Sequence, residues 1–528
     1  MLFNSYIFIF GFLPTVICGF FILDRLEFNK KLSISWLILS SLFFYGWWNP
    51  PYLILLISSV IINYFFGQHL NRSKSKSLLA VSICFNLSLL GYFKYSNFFL
   101  ENAAYFFDAS FNFSNIILPL AISFFTFQQI IYLLDSAKGL TGEYKFHEYT
   151  LFVIFFPQLI AGPIVNHKEI MPQINNSAFG NLQVKNLTIG LSIFFIGLFK
   201  KVFIADGLSV YVGPVLDANE VGIQLTFFES WLGMIAYSFQ LYFDFSGYSD
   251  MAVGLARIFG IILPINFWSP FRSQNIAEFW RKWHITLSDF IKNYLYFPIS
   301  MKFTRVSMYR QLNPVMTFGL TVFIPMIYAW GLAGLWHGAA WNFIIFGLMH
   351  GFYLIIYQLW SQVNKPKITN KYSIFIGSFF SIVLTYLCVV FSWVFFRTAS
   401  VESAVTLIKT MIGFYGITLP NSLQSFMPSF LSESGFIQYG NAAGNGLLTS
   451  HPENLIYMLG FSSFIIFCMP NIFEYFRLHH QVKKDMPYES LVKISWGYNV
   501  PSALGIAILA TIAIMYLQGE SEFLYYQF

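Results

Sequence analysis

Long apolar runs separated by short polar segments dominate the chain: Tyr6–Leu23, Ile34–Trp48, Tyr52–Phe66, Ile116–Leu134, Leu187–Ile204, Phe227–Phe243, Val315–Leu332, Phe343–Leu359, Ile374–Phe396, Leu455–Met469 and Ala503–Leu517. Most approach the roughly 20 residues that an apolar helix needs to cross a hydrocarbon core about 30 Å thick. The pattern predicts an all-α polytopic membrane protein. Several runs are short, which calls for tilt or a locally thinned bilayer.

Composition agrees. Of 528 residues, 56% are hydrophobic and 10% charged, with a mean hydropathy of +0.61, against about 25% charged residues in a soluble domain. The 65 Phe, 31 Tyr and 13 Trp fit lipid-facing packing with aromatic belts at the interfaces. The first run has no basic segment before it and no small-residue cleavage site after it, so it reads as a retained helix. Cys18, Cys84, Cys388 and Cys468 all lie in apolar runs without a CxxC spacing. That predicts buried small hydrophobes, and neither a zinc site nor a disulfide framework. There is no internal repeat, and the chain reads as one integral membrane domain over 1–528.

The net charge of +6 matters less than its distribution. Basic residues gather at Arg25/Lys30/Lys31, Arg72/Lys74/Lys76, Arg272 to Arg310, Lys365/Lys367/Lys371 and Arg477/Lys483/Lys484/Lys493, which the positive-inside rule assigns to the cytoplasm. The N-terminus, Tyr95–Asn115, Asp206–Gln224, Gly413–Pro452 and the C-terminus with Glu520 and Glu522 are poor in Lys and Arg. The alternation puts both termini outside. Between Glu148 and Pro270 the reading branches, with a re-entrant run expected near Ile160 or Ile261.

The loop "NIAEFWRKWHITLSDFIKNYLYFPIS" (Asn275–Ser300) predicts a helix at the cytoplasmic interface. Asn275 can cap it, with Glu278 at the third position. Ile276, Phe279, Trp280, Trp283, Leu287, Phe290, Ile291 and Tyr294 fall on one stripe at helical spacing, and Pro298 is expected to end the run. His284 sits at the edge of that stripe and points toward the protein. Its ordinary reading is a hydrogen-bonded structural histidine, and its alternative is a working imidazole.

"GLWHGAAWN" (Gly334–Asn342) places His337 between two apolar runs, in a collar of Gly334, Gly338, Ala339 and Ala340 that lets backbones or a ligand approach closely. Ionisable groups at that depth are expensive and face the interior or a wet cavity. "LYFDFSGYSDMAVGLAR" (Leu241–Arg257) carries Asp244 and Asp250. A helix break, with both carboxylates near a start or stop, is the expected structural role. The alternatives are an Asp244 that orients a histidine or substrate, and a broken-helix ion site. In "FFPQLIAGPIVNHKEI" (Phe155–Ile170), Gly162-Pro163 breaks the run and His167 is expected to be solvated. Phosphate-loop, GxSxG and HExxH motifs are absent.

"FWRKWHITLSDFIKNYLYFPI", followed by "LAGLWHGAAWNFIIFGLMHG", resembles the two histidine-bearing signatures of the membrane-bound O-acyltransferases, most closely those of the alginate O-acetyltransferase branch. "FYGWWNPPYL", "GYFKYSNFF", "LPLAISFFTFQQIIYLLD", "PQLIAGPIVNHKEI", "LFKKVFIADGLS" and "YFDFSGYSDMAVGLARIFGI" fall in the same order. The signature core covers about 116–360. The resemblance implies a ring of tilted transmembrane helices around a thin centre, with re-entrant and interfacial helices, a cytoplasmic mouth for the acyl donor and an outer funnel for the acceptor. It implies His337 as catalytic residue and His284 as the second signature position. It also implies acetyl-CoA as donor substrate with no bound cofactor or metal, a bacterial inner-membrane location, and a periplasmic acetyltransferase-like partner linked to polysaccharide export. Alginate, peptidoglycan, cellulose and teichoic acid all remain open as acceptors.

An O-acyl transfer needs a base for the hydroxyl proton and donors for the developing oxyanion. His337 suits the first task, because imidazole titrates near working pH. Trp336, Asn342 and the Gly338 amide are candidates for the second. Arg272, Arg281 and Lys282 lie where the phosphates of coenzyme A would arrive, among lipid headgroups. The rival classes are a proton-coupled transporter or flippase that uses His337 or Asp244 as a relay, and a scaffold for a polysaccharide export complex. Nothing in the chain suggests nucleic acid.

Overall fold

The computed structural model describes residues 1–25, 30–108, 116–176, 179, 183–363, 371–420, 437–440, 452–478, 490–517 and 523–524. Lys365, Lys367, Lys483, Lys484, Glu520, Glu522 and most of the Gly413–Pro452 segment lie outside them. The first helices are α1 (Leu13–Arg25), α2 (Lys30–Gly46), α3 (Tyr52–Ser73), α4 (Lys76–Leu90) and α5 (Ser96–Phe107). Next come α6 (Ile122–Ala137), α7 (Phe146–Ile154), α8 (Phe156–Leu159), α9 (His167–Asn175), α10 (Val184–Phe199), α11 (Asp206–Glu220) and α12 (Phe227–Ile258). The signature region holds α13 (Ile276–Lys282), α14 (Ile285–Phe290), α15 (Phe297–Tyr309), α16 (Pro314–Phe318), α17 (Ile324–His337) and α18 (Trp341–Val363). The rest is α19 (Lys371–Arg397), α20 (Val401–Met411), α21 (Pro452–Cys468), α22 (Ile472–Tyr475) and α23 (Val500–Met515). Outside the helices, Ile417–Pro420 and Ile437–Gly440 form a short parallel pair.

Six helical stretches among the described residues are long and apolar enough to cross a membrane: Tyr52–Ser73, Lys76–Phe107, Val184–Glu220, Pro314–His337, Trp341–Val363 and Tyr372–Arg397. Ile7–Leu23, Glu453–Cys468 and Val500–Met515 are apolar but shorter. The protein is a multi-pass, all-α membrane protein, as the apolar runs predict.

At its centre stands α12, capped by Thr226 and Glu229 and buried over most of its length. It runs without interruption through Asp244–Asp250, where the sequence suggested a break. The reason is neutralisation. A π-helical turn, Lys200–Ala205, follows α10 and sets Lys200 Nζ 2.6 Å from Asp250 and Lys201 Nζ 2.7 Å from Asp244. With lysines inside the bundle, the carboxylates need no route to water, and the helix continues. Close approach of α10 and α12 rests on two glycine pairs. A Cβ on Gly190 would come 2.6 Å from the Gly254 carbonyl, and one on Gly197 2.6 Å from that of Gly247.

Two irregular segments run through the interior, between α8 and α9 and between α12 and α13. Ile160 and Ile261, named as candidate re-entrant positions, are both buried and non-helical. Buried irregular backbone needs partners, and it has them. Ser41 accepts from the Phe156 amide at 3.0 Å, Thr286 from Ile164 at 3.0 Å and Gln173 from Ile262 at 2.8 Å.

Other expectations are corrected. Cys18 and Cys84 are exposed on the outer surface of the bundle rather than buried. His167, expected in solvent, is fully buried. Its Nδ1 lies 2.9 Å from the Tyr144 hydroxyl and its Nε2 3.2 Å from Asp135, which also pairs with Lys168 at 2.8 Å. A polar cluster formed by distant residues replaces water there, and no local pattern announces it.

Candidate active site

The amphipathic loop folds differently from one continuous helix. Asn275 caps α13 by accepting from the Glu278 amide at 2.8 Å, as expected, and most of the apolar stripe is buried. The helix then stops at Trp283. His284 adopts a left-handed conformation (φ 43°) between α13 and α14, a state that is costly for a residue with a Cβ. Pro298 does not end the run; helical backbone continues from Ile285 to Tyr309, and a π-helical turn, Ile291–Tyr296, immediately precedes α15, which carries the proline, the kind of local widening by which a helix accommodates a missing N–H.

Asn266, on the irregular segment after α12, holds this kink. Its Oδ1 lies 3.0 Å from His284 Nδ1 and 3.0 Å from the Thr286 hydroxyl, and its carbonyl accepts from the Ile285 amide at 3.0 Å. An amide oxygen that accepts from Nδ1 puts the proton there and leaves acceptor character on Nε2. The ring is fully buried, edge-on to Phe245 at 4.8 Å.

His337 is the last residue of α17, where backbone carbonyls have no partner within the helix. Two consecutive residues of the π-helical turn Gly91–Tyr95 supply donors. The Tyr95 hydroxyl donates to the Leu335 carbonyl at 3.1 Å, and Lys94 Nζ to the carbonyls of Trp336 and His337. A cation at a helix C-terminus also opposes the helix dipole. Lys94 escaped the sequence analysis, although a lysine inside the apolar stretch after Lys76 was a usable signal. Asn266 offered none.

The small-residue collar serves backbone approach. A Cβ on Gly334 would meet the Phe343 carbonyl at 2.2 Å, one on Gly347 the Trp330 carbonyl at 2.2 Å, and one on Gly338 the Phe343 ring at 2.2 Å. α17 and α18 are therefore locked together around the turn that carries His337.

Trp336 joins the two histidines. Its ring centroid is 4.9 Å from that of His337 and 6.3 Å from that of His284. Phe127 stacks on it at 5.6 Å and on Phe290 at 4.7 Å, tying α6, α14 and α17 together. The Trp336 indole N–H is buried without a hydrogen-bond partner among the described residues.

The other sequence candidates have partners of their own or face outward. Asn342 donates to the Thr398 carbonyl, joining α18 to the end of α19. Arg272 donates to the carbonyls of Ile466 and Met469 at 2.8 and 2.6 Å, capping α21. Lys282 is buried and pairs with Glu278 at 2.7 Å, whereas Arg281 is exposed. Asp244 faces Lys201 and accepts from the Leu524 amide at 3.1 Å, so its partner is a lysine and not an imidazole.

The family model for membrane-bound O-acyltransferases matches residues 134–398, a stretch that contains both histidines. The chain belongs to the membrane-bound O-acyltransferase family. It is 40% identical over 449 residues to a peptidoglycan O-acetyltransferase of Helicobacter pylori, covering 79% of this chain and 81% of that one. It is 34% identical over 424 residues to the probable alginate O-acetylase AlgI of Pseudomonas aeruginosa, covering 78% and 75%. A teichoic acid D-alanyltransferase of Bacillus subtilis is 29% identical over 255 residues, covering 48% and 62%. The protein is thus an acyltransferase of the membrane.

Proposed function

We propose that this acyltransferase takes acetyl groups from cytoplasmic acetyl-CoA and passes them through the bacterial inner membrane for O-acetylation of an exported cell-envelope polysaccharide, by way of a periplasmic transferase. The observation that carries the reading is the contiguous buried set His284–Trp336–His337. An imidazole arriving on the loop between α12 and α15 meets one at the end of α17 through a single indole. Acetyl rather than D-alanyl transfer is favoured because the O-acetyltransferase and O-acetylase relatives align over more than three quarters of this chain, and the D-alanyltransferase over about half. Alginate and peptidoglycan are both acceptors within this reading.

The acceptor hydroxyl gives its proton to His337 as its oxygen bonds to the thioester carbonyl carbon. The carbonyl oxygen takes up the negative charge, and the Trp336 indole N–H is a donor suited to it. When the C–S bond breaks, His337 returns the proton to the leaving thiolate. His284 assists in orienting the thioester. The exposed Arg281 meets the phosphates of the donor, while Arg272 and Lys282 contribute charge from positions already hydrogen-bonded within the protein. The transporter alternative loses its broken-helix ion site, because α12 is continuous and both of its aspartates pair with lysines.

The test is purified protein in detergent with acetyl-labelled acetyl-CoA. Release or transfer of the label is expected in the native chain and lost in His337→Ala with an unchanged elution profile and melting temperature. Undiminished turnover in that variant would overturn His337 as base.

A further inference from the structure

A third histidine, near the end of the second signature stretch but given no role above, is fully buried beside this site. His350 lies on α18, two turns beyond Asn342. The Trp280 indole N–H donates to its Nδ1 at 3.2 Å, with the rings edge-on at 4.9 Å. Indole only donates, so Nδ1 must be the acceptor and the proton of the neutral ring sits on Nε2. That Nε2–H is buried and meets no hydrogen-bond partner among the described residues. Phe346 touches both His350 and His337, at 4.8 and 5.7 Å between ring centroids.

A buried donor without a partner is unfavourable, and an apolar side chain of the same shape would avoid the cost. Here the cost is incurred twice around one catalytic candidate, at His350 Nε2–H and at the Trp336 indole N–H. Both positions are fixed by rigid elements, because the Gly334/Gly347 contact sets α18 against α17 and Trp280 sets the His350 ring. Donors held in a dry site and aimed at no protein group are what a developing oxyanion requires.

We propose that His350 is a further catalytic residue, whose Nε2–H donates to the carbonyl oxygen of the acyl thioester as it becomes an oxyanion, together with the Trp336 indole. Trp280 is the positioning residue that fixes the required tautomer. The inference rests on the acyl-transfer reading above. In the addition step the acceptor oxygen bonds to the carbonyl carbon, its proton goes to His337, and the carbonyl electron pair moves onto the oxygen that His350 and Trp336 bind. In the collapse step that pair re-forms the carbonyl, the C–S bond breaks and the thiolate takes the proton from His337.

The experiment compares His350→Leu, His350→Gln and Trp280→Phe with the native chain for turnover of labelled acetyl-CoA, with melting temperature and KM measured in parallel. Leucine fills the space without a donor, and kcat is expected to fall about a hundredfold with KM for acetyl-CoA within a fewfold. Glutamine can accept from Trp280 and donate onward, and should recover most of the loss. Trp280→Phe, which frees the tautomer, should fall between. If His350→Leu proves unstable, the Trp280→Phe/His350→Leu double variant removes the orphaned indole donor and gives the same readout. Native kcat in a folded leucine variant overturns the proposal, as does a loss confined to KM or a glutamine variant no better than leucine. Full activity in His337→Ala instead sinks the acyl-transfer assignment of His337 and leaves the His350 comparison to be read from its own variants.

Discussion

Between α10 and α12, Lys200 and Lys201 meet Asp250, Asp244 and Asp206 at 2.6 to 2.8 Å. Around α17 and α18, three buried histidines and Trp336 lie together, and the N–H donors of Trp336 and His350 have no hydrogen-bond partner among the described residues. Both regions sit behind glycine contacts where helix backbones nearly touch, and both put polar groups deep in an apolar bundle. They differ in satisfaction. The lysine and aspartate charges pair with one another, neutralising the interior so that α12 can run unbroken, while an uncharged group between the aspartates, Ser246 Oγ, meets no hydrogen-bond partner among the described residues. The histidine region holds two buried N–H donors, on Trp336 and His350, that no described residue satisfies. Polarity at membrane depth is therefore a poor guide to chemistry until its hydrogen bonds are accounted for.

The comparison is sharpest for a pair of variants. His337→Ala should lower turnover by about 10²- to 10⁴-fold, the usual worth of a positioned base, with little change in thermal stability. Asp250→Ala leaves the half-buried Lys200 without its carboxylate and should cost about 1–3 kcal/mol of stability, while the folded fraction turns over normally. Thermal unfolding in detergent and acetyl release per folded molecule separate the two, and a folded Asp250→Ala protein without activity would break the distinction. Replacing Lys200 and Asp250 together by Met and Leu should recover most of the lost stability, since an apolar pair of similar volume often matches a buried ion pair.

Lys94→Met takes the donor from the Trp336 and His337 carbonyls. A small misplacement of a reacting group can cost up to about a hundredfold in rate, so kcat should fall by one to two orders of magnitude, with Lys94→Arg partly restoring it. Gly334→Ala and Gly190→Ala should each destabilise by about 1–3 kcal/mol through overpacking. Only Gly334→Ala should also slow turnover in the folded fraction, because only that contact positions the end of α17. The smallest effect belongs to Arg281→Ala. Loss of one juxtamembrane cation, worth about 1 kcal/mol, should raise KM for acetyl-CoA severalfold and leave kcat alone.

The apolar runs marked most of the long helices, because lipid-exposed helices must be apolar along their whole length and that demand is written locally. Asn275 as a cap, the buried aromatic stripe and the solitary His337 were legible for the same reason. What failed were inferences about polar residues whose partners lie on other elements. Asp244 and Asp250 suggested a break because their lysines lie about 45 residues away. His167 suggested solvent because Tyr144 and Asp135 are on other elements. Pro298 suggested a stop because the π-helical turn that carries the helix past it has no local signature.

By itself, then, the sequence determined that this is a multi-pass helical acyltransferase with two signature histidines, since hydropathy and short motifs are local properties of a chain. Only the tertiary structure decided that Asn266 sets the tautomer of His284, that Lys94 holds the turn carrying His337, and that a third imidazole shares the site. Each of those follows from hydrogen bonds between residues far apart in sequence, whose pairing depends on how the helices pack and is not encoded at either position alone.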